Sequence, residues 1–152
     1  MKLDKIDCEL LRALQADGRL SNAELAPKIG LSASACFRRL QRLENNRVIA
    51  GYTALLDGQA IGRPITVFIE VSLDSQGSAA LEAFERAVQV CPDILECHLM
   101  SGDFDYLLRV AVADMRDYER VHRQQVGAFP HVARIRTAFA MRAVLERRGY
   151  AL

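Results

Sequence analysis

Six polar side chains within eleven residues, Ser32, Ser34, Arg38, Arg39, Gln41 and Arg42, are of the right types to bind an anion or a base edge together. They lie in SASACFRRLQRLE, residues 32–44. On a 100° helical wheel Ser34, Arg38, Gln41 and Arg42 share one side, with Arg39 at the boundary. Cys36, Leu40, Leu43 and the stem of Arg47 share the other, with Phe37 at its edge. Every cation in the polar set is arginine, whose planar fork can bond a guanine edge or a phosphate bidentately as lysine cannot. Ser32 and Ser34 stand at the start of the helix, where hydroxyls and free N–H groups can meet a phosphate. The plain alternative is the solvated face of an amphipathic helix.

A second candidate is SGDFDY at 101–106. Asp103 and Asp105 sit two apart beside Gly102, a spacing that would allow an acid/base pair or a cation site. No Ser-His-Asp or Cys-His set accompanies them, and Glu96 and His98 alternate as the polar side of a strand. Neither an enzyme nor a metal site is therefore expected. A tight turn between two strands would choose Gly and Asp for their geometry alone.

The elements that must position these residues follow from periodicity and punctuation. Asp4 caps a helix with Ile6, Leu10, Leu11 and Leu14 at helical spacing, ending at Asp17-Gly18. Ser21-Asn22-Ala23-Glu24 has capping-box form and opens a short second helix that runs to Gly30, with Pro27 expected to kink it. Gly30-Leu31-Ser32 turns the chain and Ser32 caps the third helix. Two short helices joined through a Gly-bearing turn make a helix-turn-helix, whose second helix enters the DNA major groove. VIAGYTALL at 48–56 reads as an extended strand or tether, and DGQAIGRP at 57–64 as a linker. Beyond it, ITVFIEVSL alternates with Ile65, Val67, Ile69, Val71 and Leu73 on one face. A helix over 77–90 places Leu81, Phe84 and Val88 inward. Strands at 94–100 and 105–112 flank the SGDFD loop. A helix from about 115 to 126 begins after Asp114 and carries Met115, Tyr118 and Val121, and a last strand covers 132–140.

The predicted fold class is α+β: an N-terminal winged helix-turn-helix followed by a ferredoxin-like βαββαβ domain. Its parts are a DNA-binding domain with strand tether over 1–56, the linker 57–64, and a sensing and oligomerisation domain over 65–152. Both helices of the second domain cover one sheet face, so the other, read as apolar, needs a partner, most simply a second copy.

Composition agrees with a soluble globular chain of 152 residues, 51% apolar and 26% charged, able to bury roughly two-thirds of its unfolded surface. The net charge of +1 hides an asymmetry: residues 1–56 hold nine Lys/Arg against six Asp/Glu, and the rest eleven against thirteen. A basic front third suits a nucleic-acid partner. No signal-like or membrane-spanning run occurs, and the expected location is the cytoplasm. Cys8, Cys36, Cys91 and Cys97 lack metal or disulfide spacing and read as small buried hydrophobes.

The order LDKID at 3–7, DGRLSNAELA at 17–26, RRLE with VIAGYTALL, and ECHLMSGDFDYLLRV at 96–110 resembles the Lrp/AsnC, or feast/famine, transcription factors, most closely the leucine-responsive type. The resemblance covers nearly the whole chain. It implies transcriptional control through double-stranded DNA, dimers that assemble into octamers, association with the nucleoid, and an amino-acid effector in place of any cofactor. In that reading the loop is a ligand site. Backbone N–H groups of Ser101 and Gly102 suit an α-carboxylate, and Asp103 or Asp105 suits the ammonium, the two roles being inseparable in sequence. Leu99, Met100, Phe104 and Tyr106 would line the side-chain pocket, and Thr137 and Ala138 of the last strand would be walls from a neighbouring subunit. A leucine- or methionine-like effector fits this set. A small ferredoxin-like enzyme and a DNA-free interaction module are the alternatives.

Overall fold

The computed structural model describes residues 2–147 and 149–152 and divides into two compact units. One comprises the chain through Leu55 together with Leu145–Leu152, and the other Leu56–Val144.

The first unit is built on three capped helices. Helix α1, Lys5–Ala16, begins at Asp4, whose carboxylate accepts from the Asp7 amide at 2.8 Å while the Asp7 carboxylate accepts from the Asp4 amide at 3.1 Å. Helix α2, Asn22–Lys28, has the reciprocal box between Ser21 and Glu24. Pro27 lies inside α2 and the helix ends one residue later, so the hydrogen bond it removes falls in the last turn. Gly30 has φ +66°, the left-handed geometry that lets the chain reverse in so few residues. Helix α3, Ala33–Asn45, starts where the Ser32 hydroxyl accepts from the Ala35 amide. Leu10, Leu11, Leu25, Ala26, Ile29, Cys36 and Leu43 form the core beneath the helices, with Ile6, Leu14 and Leu40 packed around it.

Two expectations need correction here. Arg47 has left the helix with φ +54° and is exposed, so its stem is not part of the buried sector. The stretch that would make the wing or strand tether carries neither helix nor strand over 50–57, because among the described residues no other strand lies in this unit to pair with it. Residues 145–152 pack with the helical unit. Gln15 bonds the backbone of Tyr150 at both its N–H and its C=O, and Arg12 donates to the Leu152 carbonyl at 2.6 Å.

The second unit is the βαββαβ arrangement. Its strands are β1, Ile65–Leu73, β2, Ile94–Leu99, β3, Tyr106–Val112, and β4, Val132–Phe139. Helix α4, Ser78–Gln89, follows β1, and α5, Met115–Gln124, follows β3. The spatial order is β2-β3-β1-β4, with every neighbouring pair antiparallel. Period-two alternation in β1 and β3 buries Val67, Ile69, Val71, Tyr106, Leu108, Val110 and Val112, against Phe84 and Val88 of α4 and Val121 of α5. Met115 does not join them and is 59% exposed. The linker is ordered: the Asp57 carboxylate accepts from the amides of Gln59 and Ala60, and Arg63 bonds Asp117 at 2.9 Å.

The opposite sheet face is not the apolar surface read from the sequence. Register places Thr66, Phe68, Glu70 and Ser72 of β1 beside Leu107, Arg109 and Ala111 of β3 and Arg134, Arg136 and Ala138 of β4. Arg109 pairs with Glu96 at 2.6 Å and Arg136 with Glu70 at 3.6 Å. Polar residues at alternate strand positions, two of them in β4, produce this mixed face.

Candidate nucleic-acid and effector sites

Helix α3 presents the first candidate. Ser32 and Ser34 are exposed at its N-terminus with their hydroxyls 3.3 Å apart, and Arg38 and Gln41 are exposed one and two turns on. Among the described residues neither Arg38 nor Gln41 makes a side-chain hydrogen bond. Arg39 and Arg42 differ from the free donors expected. Arg39 Nη1 bonds Asp4 at 2.6 Å and Asp7 at 2.8 Å, and Arg42 Nη2 reaches both Asp7 oxygens at 2.8 and 2.6 Å. The Asp7 carboxylate is only 1% exposed, so these are ties from α3 to α1 as well as charges on a surface. The Arg39 guanidinium holds the Asp4 carboxyl below its ordinary range, and the two aspartates hold the guanidinium more firmly protonated. Arg38, Arg39 and Arg42 nevertheless line one depression with Leu31 and Ala35, about 370 Å³ in volume. Phe37, 49% exposed, stands beside the donors, a larger apolar exposure than its place at the wheel's edge suggested.

The loop between β2 and β3 is the second candidate, and the contiguous set nominated there separates. Gly102 has φ +130°, a conformation glycine adopts without strain. Asp105 faces inward. Its Oδ2 accepts from the Leu73 amide at 2.7 Å and its Oδ1 from Gln76 at 2.9 Å. Its own amide donates to the Val71 carbonyl, and its carbonyl accepts from the Met100 amide. Asp105 is thus a staple between the loop and β1, and Asp103 is the exposed carboxylate. Tyr106 is 1% exposed, stacks on Phe84 at 4.5 Å and donates to Glu85, so it lines the core and not a ligand pocket. Burial, helped by Glu85, pushes its phenol well above the ordinary value. Leu99 pairs with Tyr106 and therefore lies on the helix side of the sheet, 61% exposed, while Met100 is 37% exposed in the loop that also carries Ser101.

Thr137 and Ala138 point to opposite faces. Thr137 turns toward the helices and bonds the Tyr118 hydroxyl, while Ala138 faces the open side opposite Phe68. Within one chain they cannot wall the same pocket. Asp103 and Phe104 do share a depression of about 370 Å³, with Glu70, Ser72, Arg134 and Arg136. Arg134 donates to the Asp103 carbonyl at 3.3 Å and to the Ser72 hydroxyl at 3.4 Å. These four partners were missed in the sequence. Their signal was the i, i+2 spacing of Glu70 with Ser72 and of Arg134 with Arg136, which puts all four on one sheet face once β1 and β4 pair.

Among the described residues no three His, Cys, Asp or Glu side chains are placed to hold a metal ion, and no helix is long and apolar enough to cross a membrane. All four thiols are free. Cys36 is buried and the other three are partly buried. Desolvation raises the Cys36 thiol and pushes that of Cys97 up to about 11.

Residues 3–44 match the AsnC-type helix-turn-helix domain and residues 66–150 the Lrp/AsnC ligand binding domain. The chain is 42% identical over 146 residues to the Bkd operon transcriptional regulator of Pseudomonas aeruginosa, covering 96% of this chain and 95% of that one. It is 43% identical over 144 residues to the leucine-responsive regulatory protein of Escherichia coli, covering 95% and 88%. Among solved structures, the L-Met complex of a transcriptional regulator from Neisseria meningitidis superposes with a TM-score of 0.93 at 31% identity, covering 99% and 97%. An AsnC family regulator from Agrobacterium tumefaciens gives 0.92 at 35% identity, covering 98% and 97%. These relatives are regulators and not enzymes. With an arginine-bearing helix-turn-helix, an open-faced βαββαβ unit and matches to both domain families along its length, the chain belongs to the Lrp/AsnC family of transcriptional regulators.

Proposed function

We propose that this regulator reads duplex DNA with the α3 surface of Ser32, Ser34, Arg38 and Gln41, assisted by Arg39 and Arg42, and that a small apolar amino acid tunes the binding. The observation that carries the reading is the row Ser34, Arg38 and Gln41, exposed on a helix that two caps and the Gly30 turn hold in a helix-turn-helix.

The effector site is the 99–106 loop where it approaches another subunit. The depression beside it supports a zwitterion: Asp103 and Glu70 offer carboxylates to an α-ammonium, Arg134 and Arg136 offer guanidiniums to an α-carboxylate, and Phe104 offers an apolar wall. Leucine or methionine is the effector, in keeping with the leucine-responsive relatives and the L-Met complex. Dimers assemble into octamers, and the protein works in the cytoplasm on the nucleoid. A site completed by a neighbour couples ligand to assembly, because the ligand favours whichever packing completes its pocket. Such couplings are typically about 1–3 kcal/mol.

Calorimetry against the twenty amino acids, paired with duplex binding in the presence of each, tests the reading. The expected result is heat from leucine or methionine together with a shifted DNA affinity. No heat from any of them at millimolar concentration, with DNA binding equally unresponsive, would leave the loop a plain turn. Sedimentation tests the assembly, which a stable micromolar monomer would exclude.

A further inference from the structure

We infer that Asp7, on the first helix, is a positioning residue for DNA: it holds Arg39 and Arg42 so that their remaining N–H groups receive a backbone phosphate in the depression they share with Arg38. The inference rests on α3 being the DNA face.

Three observations carry it. The Asp7 side chain is 1% exposed while Arg39 and Arg42 remain 26% and 46% exposed, so the acid is interior and its two partners reach the surface. Only Nη1 of Arg39 and only Nη2 of Arg42 contact the acids, which leaves the Nε and the other Nη of each guanidinium as donors. Both arginines line the same depression as Arg38. The cluster is assembled by the α1 cap itself: the Asp4 amide donates to Asp7 Oδ2, the Asp7 amide donates to Asp4 Oδ1, and the oxygens of both acids face the arginines.

The chemistry has a counterintuitive sign. Asp4, Asp7, Arg39 and Arg42 carry no net charge between them, so of the three arginines that line the depression only Arg38 adds net attraction at long range. What the pair contributes is direction. A guanidinium already immobilised by one edge loses little side-chain freedom when its other edge meets a phosphate, and its planar fork is aimed in advance. Removing the Asp7 charge makes the protein more cationic, and simple electrostatics would then tighten DNA binding. Loss of positioning weakens it.

The experiment uses the full chain and two probes: the tightest duplex selected by wild type from random-sequence DNA, and a scrambled duplex of the same composition. Asp7→Asn is expected to weaken binding to the selected duplex, where the phosphate is met in one docked register, about tenfold; scrambled-duplex affinity, which follows net charge, is expected to be unchanged or higher. In that background Arg42→Ala should add no further loss, and Asp7→Glu should recover part of the wild-type affinity. All are measured below the melting transition of each variant. Should Asp7→Asn not fold, Asp7→Glu alone decides: a longer carboxylate displaces both guanidiniums, so a folded Asp7→Glu protein must bind the selected duplex more weakly than wild type. Selected-duplex affinity at or above wild type in a folded Asp7 variant, while Arg39→Ala or Arg42→Ala binds less, overturns the positioning role and keeps the DNA face. If Arg38→Ala, Arg39→Ala and Arg42→Ala all bind as wild type, the DNA face itself is wrong.

Discussion

The α3 surface and the 99–106 loop look alike in sequence, as short runs of polar residues beside glycine or serine, yet the two fold differently. On α3 the nominated residues stay together, because side chains three and four apart share a helix face. Two of the six are tied back to α1, but they still reach the surface. In the loop the run separates: Asp103 and Phe104 face the open side, Asp105 staples the loop to β1, and Tyr106 enters the core. A helix keeps a sequence cluster as a spatial cluster. A strand end deals neighbouring residues to opposite faces, and a ligand site there is completed by other strands.

The largest expected effect sets the two loop aspartates against each other. Asp105→Ala removes acceptors for the Leu73 amide and for Gln76, and should destabilise the sheet unit by about 2–3 kcal/mol, while Asp103→Ala stays within about 0.5 kcal/mol. Urea denaturation measures both. The order should invert in calorimetry, where a folded Asp103→Ala protein gives less heat with leucine or methionine. Equal stabilities would remove the distinction between staple and ligand group.

On α3 the corresponding contrast is between Arg38 and Arg42. Arg38→Ala should weaken duplex binding by about 1–3 kcal/mol with an unchanged melting temperature. Arg42→Ala should lower both, since it also leaves the buried Asp7 carboxylate short of a partner. Salt titration of binding separates the kinds of contact: losing a phosphate contact lowers the slope by roughly one.

Gly102→Trp probes the loop by bulk. A side chain at φ +130° is strained, but among the described residues no atom beyond the chain neighbours lies within 4 Å of an added Cβ, so a side chain starts into open space next to Asp103 of the candidate pocket. DNA binding should become indifferent to amino acids with the effector-free affinity near wild type, as followed by anisotropy with and without leucine.

Acid titration should give the smallest effect. Arg120 holds Asp93 below the ordinary carboxylate value of 3.8, with Gln125 assisting, and Arg39 does the same for Asp4. A carboxylate with a lowered folded pKa stabilises fully above its unfolded value, and loses that contribution as the pH falls through the folded one. Circular dichroism should therefore show level stability from neutrality to about pH 5 and a decline only below about pH 4. Arg120→Gln should be less stable at neutral pH, yet lose stability less steeply below pH 4.

Local signals account for most of the architecture. Capping residues at Asp4, Ser21 and Ser32, the turn at Gly30, and period-two alternation in ITVFIEVSL were sufficient for the three helices, and alternation with helical spacing beyond it for the order of the βαββαβ unit and the inward set of β1. These features depend on interactions within a few residues, so they are written where they act. The absence of a strand over 50–57 was not legible, since an extended sequence becomes a strand only when a ladder partner lies beside it. Nor was the placement of the last eight residues, which depends on Gln15 and Arg12 well over a hundred positions away.

For the candidate sites the division is the same. By itself the sequence determined which chemistry was available: arginine forks and hydroxyls on one helix face, and carboxylates beside a glycine in one loop. Tertiary structure decided which of those groups were free. Asp7 reaches Arg39 and Arg42 across thirty-two and thirty-five residues, and Asp105 reaches the Leu73 amide across thirty-two. Whether a charged side chain faces water or a partner is set by what packs opposite it, and that partner has no local signature in the chain.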